Sequence, residues 1–160
     1  MRIKIFVLGL MCFMIYGCAT APAPRQIVKA FTIEAQFDDV WVAVIDSFSE
    51  MNLPIANMEK DSGLITTDWI GYPLGKKGKV YCDCGGLGIW IELEREGRFN
   101  VFVKKITESS SELKVNCLYR QTIQPATAGA GDSIKVRTCV STGKLEADMF
   151  ETVKSKLKIE

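Results

Sequence analysis

The N-terminal stretch decides how much of this 160-residue chain is free to fold. Arg2 and Lys4 lead into an apolar run over residues 5–16, which Gly17 and Cys18 close. A positive start, an apolar segment too short for a comfortable membrane span and a small residue at its end form the layout of a bacterial export signal. Pro22 and Pro24 follow at once and disfavour a retained membrane helix. With residues 1–17 set aside, the remaining length supports one hydrophobic core and little more.

Cys18, directly after Gly17, resembles a lipobox, the site where a bacterial lipoprotein is lipidated and cleaved. The competing reading is an ordinary cleaved signal with an incidental cysteine. Residues 18–27 carry the lipidated Cys and an Ala/Pro-rich tether without apolar period. Residues 28–160 are expected to form a single domain.

Charge and residue types narrow the function classes. Twenty basic residues stand against nineteen acidic ones, so no clustered basic surface points to nucleic acid. The chain contains no His. That excludes Ser-His-Asp and Cys-His triads and any imidazole metal site, and removes the commonest general base. An enzyme is not expected, nor a cofactor or a metal.

Apolar periodicity sets the elements. Phe31, Ile33, Ala35 and Phe37 alternate with polar residues and predict a first strand. Asp38 and Asp39 are expected to cap a helix whose apolar stripe is Val40, Trp41, Val44, Ile45, Phe48 and Met51. It should stop near Asn52, before Pro54. Residues 55–60 and 64–70 flank the turn Asp61-Ser62-Gly63 and predict a hairpin. Residues 71–88 read as a Gly-rich loop with a basic tip at Lys76, Lys77 and Lys79. Strands are predicted over residues 89–94, with Ile89, Ile91 and Leu93 as the apolar set, and over residues 99–106, joined by a tight turn at Glu96-Gly97. Further strands are expected around Leu113–Tyr119 and Ile134–Val140, separated by the small-residue loop 125–132. A second helix over residues 142–158 buries Leu145, Met149, Phe150, Val153 and Leu157. The sum is an α+β domain, an antiparallel sheet with two helices packed on one face.

Six cysteines include Cys12 in the signal and Cys18. Cys82, Cys84, Cys117 and Cys139 remain, an even set in an exported chain, so disulfides are expected. Placing Val136, Thr138 and Val140 on the face of Val115, Cys117 and Tyr119 turns Cys139 to the opposite face, which argues against a Cys117–Cys139 bridge. Bridges from the 82–84 pair to the later cysteines are preferred, with Cys84–Cys139 first. The C-x-C spacing fits neither a zinc knuckle nor a redox motif at a helix start. Ser141-Thr142-Gly143-Lys144 has S-x-x-K spacing but reads as a helix start with Ser or Thr as cap.

Several segments carry a family likeness. The strand before Asp38, Val40-Trp41 at the helix start and Gly63-Leu64-Ile65-Thr66-Thr67-Asp68-Trp69 resemble the repeating unit of BamC-like outer-membrane lipoproteins. Asp83-Cys84-Gly85 and the run Cys139-Val140-Ser141-Thr142-Gly143-Lys144-Leu145-Glu146 are similar to segments of related single-domain lipoproteins. The resemblance implies a helix-grip, TBP-like α+β domain and a non-enzymatic, assembly-associated role in the envelope. BamC-type proteins carry two such domains and a long N-terminal segment, whereas one domain and a short tether are read here. Ala19 after Cys18 looks like the outer-membrane sorting pattern. The expectation is therefore a membrane-anchored periplasmic domain that meets another envelope protein, with Tyr72, Lys76, Lys77 and Trp90 as contact candidates. The alternative is a small-molecule or glycan binder.

Overall fold

The spine of the domain is one long hairpin. In the computed structural model, which describes residues 21–127, 129 and 133–159, β6 (Trp90–Lys105) and β7 (Ser111–Pro125) pair antiparallel with Val101 opposite Val115 and Phe99 opposite Cys117. The signal-peptide reading and Cys18 lie outside the described residues. Period-2 alternation turns Phe99, Val101 and Val103 of β6 and Leu113, Val115, Cys117 and Tyr119 of β7 to one face, where all are buried.

The other strands fill both edges of this spine. β1 (Ala30–Ile33) pairs with the first half of β7, and β8 (Lys135–Ser141) pairs with its second half. On the β6 side, β3 (Leu64–Thr67) and then β2 (Ile55–Glu59) extend the sheet, while the short β4 (Ile70–Gly71) pairs beside Glu96 and Gly97. β5 (Cys82–Asp83) adds beyond β8. Eight antiparallel strands result, an open sheet in an α+β domain as the residue pattern predicts.

Helix α1 (Phe37–Glu50) buries Val40, Trp41, Val44 and Phe48, and α2 (Lys144–Leu157) buries Leu145, Met149 and Val153. These side chains join Phe99, Val101, Leu113 and Val115 in one core. Phe31 stacks on Phe150 with ring centroids 4.2 Å apart, docking β1 under α2. Asn52 ends α1 in the left-handed region at φ 52°. Asp38 and Asp39 are not caps: the N-cap is Gln36, and the two carboxylates sit in the first turn, where they favour the helix dipole.

Four further expectations change. The first strand ends at Ile33, and Phe37 opens α1 instead. Glu96-Gly97 is no turn, because Gly97 lies inside the continuous β6. A Cβ there would come within 2.9 Å of Phe99, Tyr119 and Tyr72, so the missing side chain makes room for three rings. The 71–88 segment begins on the last residue of β4 and holds a 3-10 turn at Gly78–Val80 and β5. Finally, Tyr119 pairs with Cys139. Cys139 therefore points inward, while Val136 and Thr138 are exposed. The apolar rule misleads at this end because the inner face there carries Gln121 and Arg137.

Two glycines separate backbone conformation from crowding. Gly63 (φ +68°) would put a Cβ into the Val103 carbonyl, whereas Gly75 (φ +71°) has open space around it. G75A should lose about 1–2 kcal/mol from left-handed strain alone, and G63A at least twice that, read from urea denaturation midpoints.

Candidate functional site

The 71–88 segment roofs a group of buried polar side chains. A bulge between Glu92 and Glu94 shifts the phase of β6. Arg95 keeps the inward phase of Gly97 and Phe99, and the bulge turns Glu92 inward as well, with side chains only 1% and 7% exposed, while Ile89, Ile91 and Leu93 are exposed. This reverses the apolar set expected for residues 89–94.

Glu92 Oε1 accepts from Arg95 Nε at 2.8 Å and pairs with Arg95 Nη2 at 2.6 Å. Gln121 Nε2 donates to the same carboxylate oxygen. Arg137 Nε donates to Gln121 Oε1 at 2.7 Å, and Arg137 Nη1 to the Gly86 carbonyl at 3.0 Å. The roof closes through Gly75, whose N–H donates to Glu92 Oε2 at 3.3 Å and whose carbonyl accepts from Arg95 Nη1 at 3.4 Å. Gly78 must lack a side chain, because a Cβ there would overlap Arg95 and the Pro73 carbonyl.

Beside this network lie the sulfurs. β5 and β8 pair with Cys82 opposite Ser141 and Asp83 opposite Val140, so Cys84 falls opposite Cys139. The two form a disulfide with Cα atoms 4.2 Å apart and a sequence separation of 55. Closing that loop stabilises by about 4 kcal/mol in the chain-entropy picture. Cys84–Cys139 is the pairing ranked first from the sequence. Cys82 and Cys117 form no second bridge and are buried free thiols. The reason is placement: Cys82 lies on β5, whereas Cys117 sits on β7 across from Phe99. Burial, with Glu146 beside it, pushes the Cys117 thiol far above its ordinary range. Burial likewise raises Cys82 from 9.0 to about 11, with Arg95 opposing the shift.

The contact candidates separate. Lys76 and Lys77 are exposed at the loop tip. Tyr72 is half-buried, its ring edge-on to Tyr81, Phe99 and Tyr119 at 5.3, 6.2 and 5.8 Å. Its role is packing, and burial drives its hydroxyl pKa strongly upward. Trp90 is half-covered, with Lys135 Nζ 4.7 Å from its ring centroid. Sequence reasoning missed Glu92, Arg95, Gln121, Arg137 and the fully buried Glu146, whose Oε2 accepts from Ser141 Oγ at 3.0 Å. Ser141 Oγ also accepts from the Gly143 N–H at 3.1 Å. The S-x-x-K spacing is thus a helix-start arrangement, although Gly143 occupies the N-cap position itself.

The sequence matches no known protein-family model and no curated protein at a significant level.

Truncating Glu92 strands a buried guanidinium. Glu92→Ala should cost about 3–5 kcal/mol, whereas Glu96→Ala, which breaks the more exposed pair with Arg120, should cost under about 1 kcal/mol. Chemical denaturation separates the two. The raised Cys82 pKa has a sign: the folded chain holds the thiol proton more tightly than the unfolded one. That stability is complete below pH 9 and is lost as pH rises through about 11. Iodoacetamide labelling of Cys82, followed by peptide mapping, should be negligible below pH 9 and rise steeply towards the upper value.

Proposed function

We propose that this chain is a lipid-anchored periplasmic domain of the outer membrane. It is a non-enzymatic accessory or scaffold that binds another envelope protein, in the manner of assembly-associated lipoproteins. The observation that carries the reading is the Cys84–Cys139 disulfide. Such a bond persists in an oxidising compartment and is rare in the cytosol. It agrees with the export signal and with Cys18 as the acylated residue.

The course of the N-terminal segment supports the anchor. Arg25 pairs with Asp83 at 3.5 Å, and the Lys29 carbonyl accepts from the Val115 N–H at 2.8 Å. An extended chain from Cys18 to Arg25 reaches at most about 25 Å. Arg25, which pairs with Asp83 of β5, thus lies within that distance of Cys18. More than one acyl chain is needed for stable attachment.

The second reading, a small-molecule binder, has one observation in its favour. An open groove of about 880 Å³ lies at the far end of the hairpin, lined by Phe37, Phe102, Lys60, Lys104 and Lys114 among others. Between sheet and helices, by contrast, Val44, Phe48, Phe99 and Met149 fill the interior.

Two measurements test the first reading. Mass spectrometry of the mature polypeptide should find it beginning at Cys18 and carrying fatty acid. K76E/K77E should reduce recovery of the partner after in-cell cross-linking by about 10-fold, or about 1.4 kcal/mol. Its stability should shift by less than about 0.5 kcal/mol, as expected for exposed positions. An unacylated Cys18 refutes the anchor, and unchanged capture refutes that surface.

A further inference from the structure

We propose that Cys82, Cys84 and Cys139, once the Cys84–Cys139 bond is reduced, form a three-thiolate site for one soft cation, Cu(I). Their sulfur atoms lie within 4.8 Å of one another, on three buried residues. The backbone register sets this grouping: Cys84 and Cys139 face each other across β5 and β8, and Cys82 is two residues along the same face. Cys82 Sγ is 3.9 Å from Cys84 Sγ. An equilateral sulfur triangle with a 3.9 Å edge has its centre about 2.3 Å from each corner, a metal–thiolate bond length.

The donor set selects the ion. The chain has no His, and Cys117 lies outside the group. The neighbouring carboxylates are occupied: Asp83 takes the Gly85 N–H at 2.9 Å and Arg25 at 3.5 Å, and Glu92 holds Arg95. A tetrahedral zinc site lacks its fourth ligand, whereas soft thiolates suit Cu(I). The surroundings also supply charge. Arg95 acts electrostatically on Cys82. Arg137, two residues before Cys139 on the same face, has a buried Nη2 without a hydrogen-bond partner among the described residues. Arg95 is paired with Glu92, whereas Arg137 donates only to neutral acceptors, Gln121 Oε1 and the Gly86 carbonyl; its uncompensated positive charge offsets that of a copper–trithiolate group.

The chemistry balances with a dithiol as reductant. Its two thiols lose two electrons and two protons and become a disulfide, while the Cys84–Cys139 bond breaks and both sulfurs are protonated. Cu(I) then displaces three protons and bonds to three sulfurs. The oxidised protein, with two of the sulfurs bonded to each other, has no such site.

Competition with the chromophoric chelator bathocuproine disulfonate, on the purified full chain, tests this. The reduced protein should withdraw one equivalent of Cu(I) through these three residues, and the oxidised protein none. C82S should weaken binding by more than about 100-fold, beyond what loss of an outer-shell partner costs, and C117S should leave it unchanged. Alkylation mapping of the reduced wild type needs no variant: near pH 11, where metal-free Cys82 is labelled, Cu(I) should protect Cys82, Cys84 and Cys139 together. Equal binding by the oxidised form, loss in C117S with C82S unaffected, or no protection of Cys82 overturns the proposal.

Discussion

Everything in this domain follows from the phase in which β6 meets β7. With Val101 opposite Val115, the odd-numbered residues from Arg95 to Val103 and from Leu113 to Ile123 face the interior. A slip of one residue would turn that set to solvent. The phase is held by complementary bulk: Phe99, Val101, Val103, Leu113 and Val115 fill the space beneath Val44, Phe48 and Met149. β1, β3, β4 and β8 then find their pairing sites along a template that is already set.

The same phase carries polar residues inside at the far end. Once apolar bulk fixes Phe99 inward, Gly97 and Arg95 must follow, and the bulge adds Glu92. A buried guanidinium is costly unless paired. The protein meets that cost with Glu92, Gln121 and the backbone of Gly75, which explains why a Gly-rich segment lies across this end. The roof is therefore tied down from below, and its freedom is confined to the exposed tip. The disulfide fastens the other margin of this region, where β5 joins β8. Two independent constraints thus hold one segment, beside the packing of Tyr72 and Tyr81 against the core.

Much of the fold was legible in the residues. Both helices were, because Val40, Trp41, Val44 and Phe48, and Leu145, Met149 and Val153, keep helical spacing. The Asp61-Ser62-Gly63 hairpin was legible from its turn chemistry, and Cys84–Cys139 was the first choice among pairings. The register argument that accompanied it was wrong, since Cys139 shares the inner face with Cys117. The polar cluster was hidden because Ile89, Ile91 and Leu93 look like a core set, and only the bulge turns them out. A signal existed: extending the alternation backwards from Val103 through Phe99 reaches Gly97 and Arg95 on the inner face. Gly97 read as a turn because a lone glycine in a strand is also how a sheet admits neighbouring rings.

β1 holds the first half of one edge of β7, and the N-terminal segment runs directly into it. Tension applied at the N-terminus therefore enters the sheet through the backbone ladder between Ala30–Ile33 and the start of β7, not through a helix. β7 is clasped along its opposite edge by nearly the full length of β6, so the strand that receives the load is also the one least able to peel away. A pull on the N-terminal side would thus load one edge of the sheet while the long central ribbon keeps its shape.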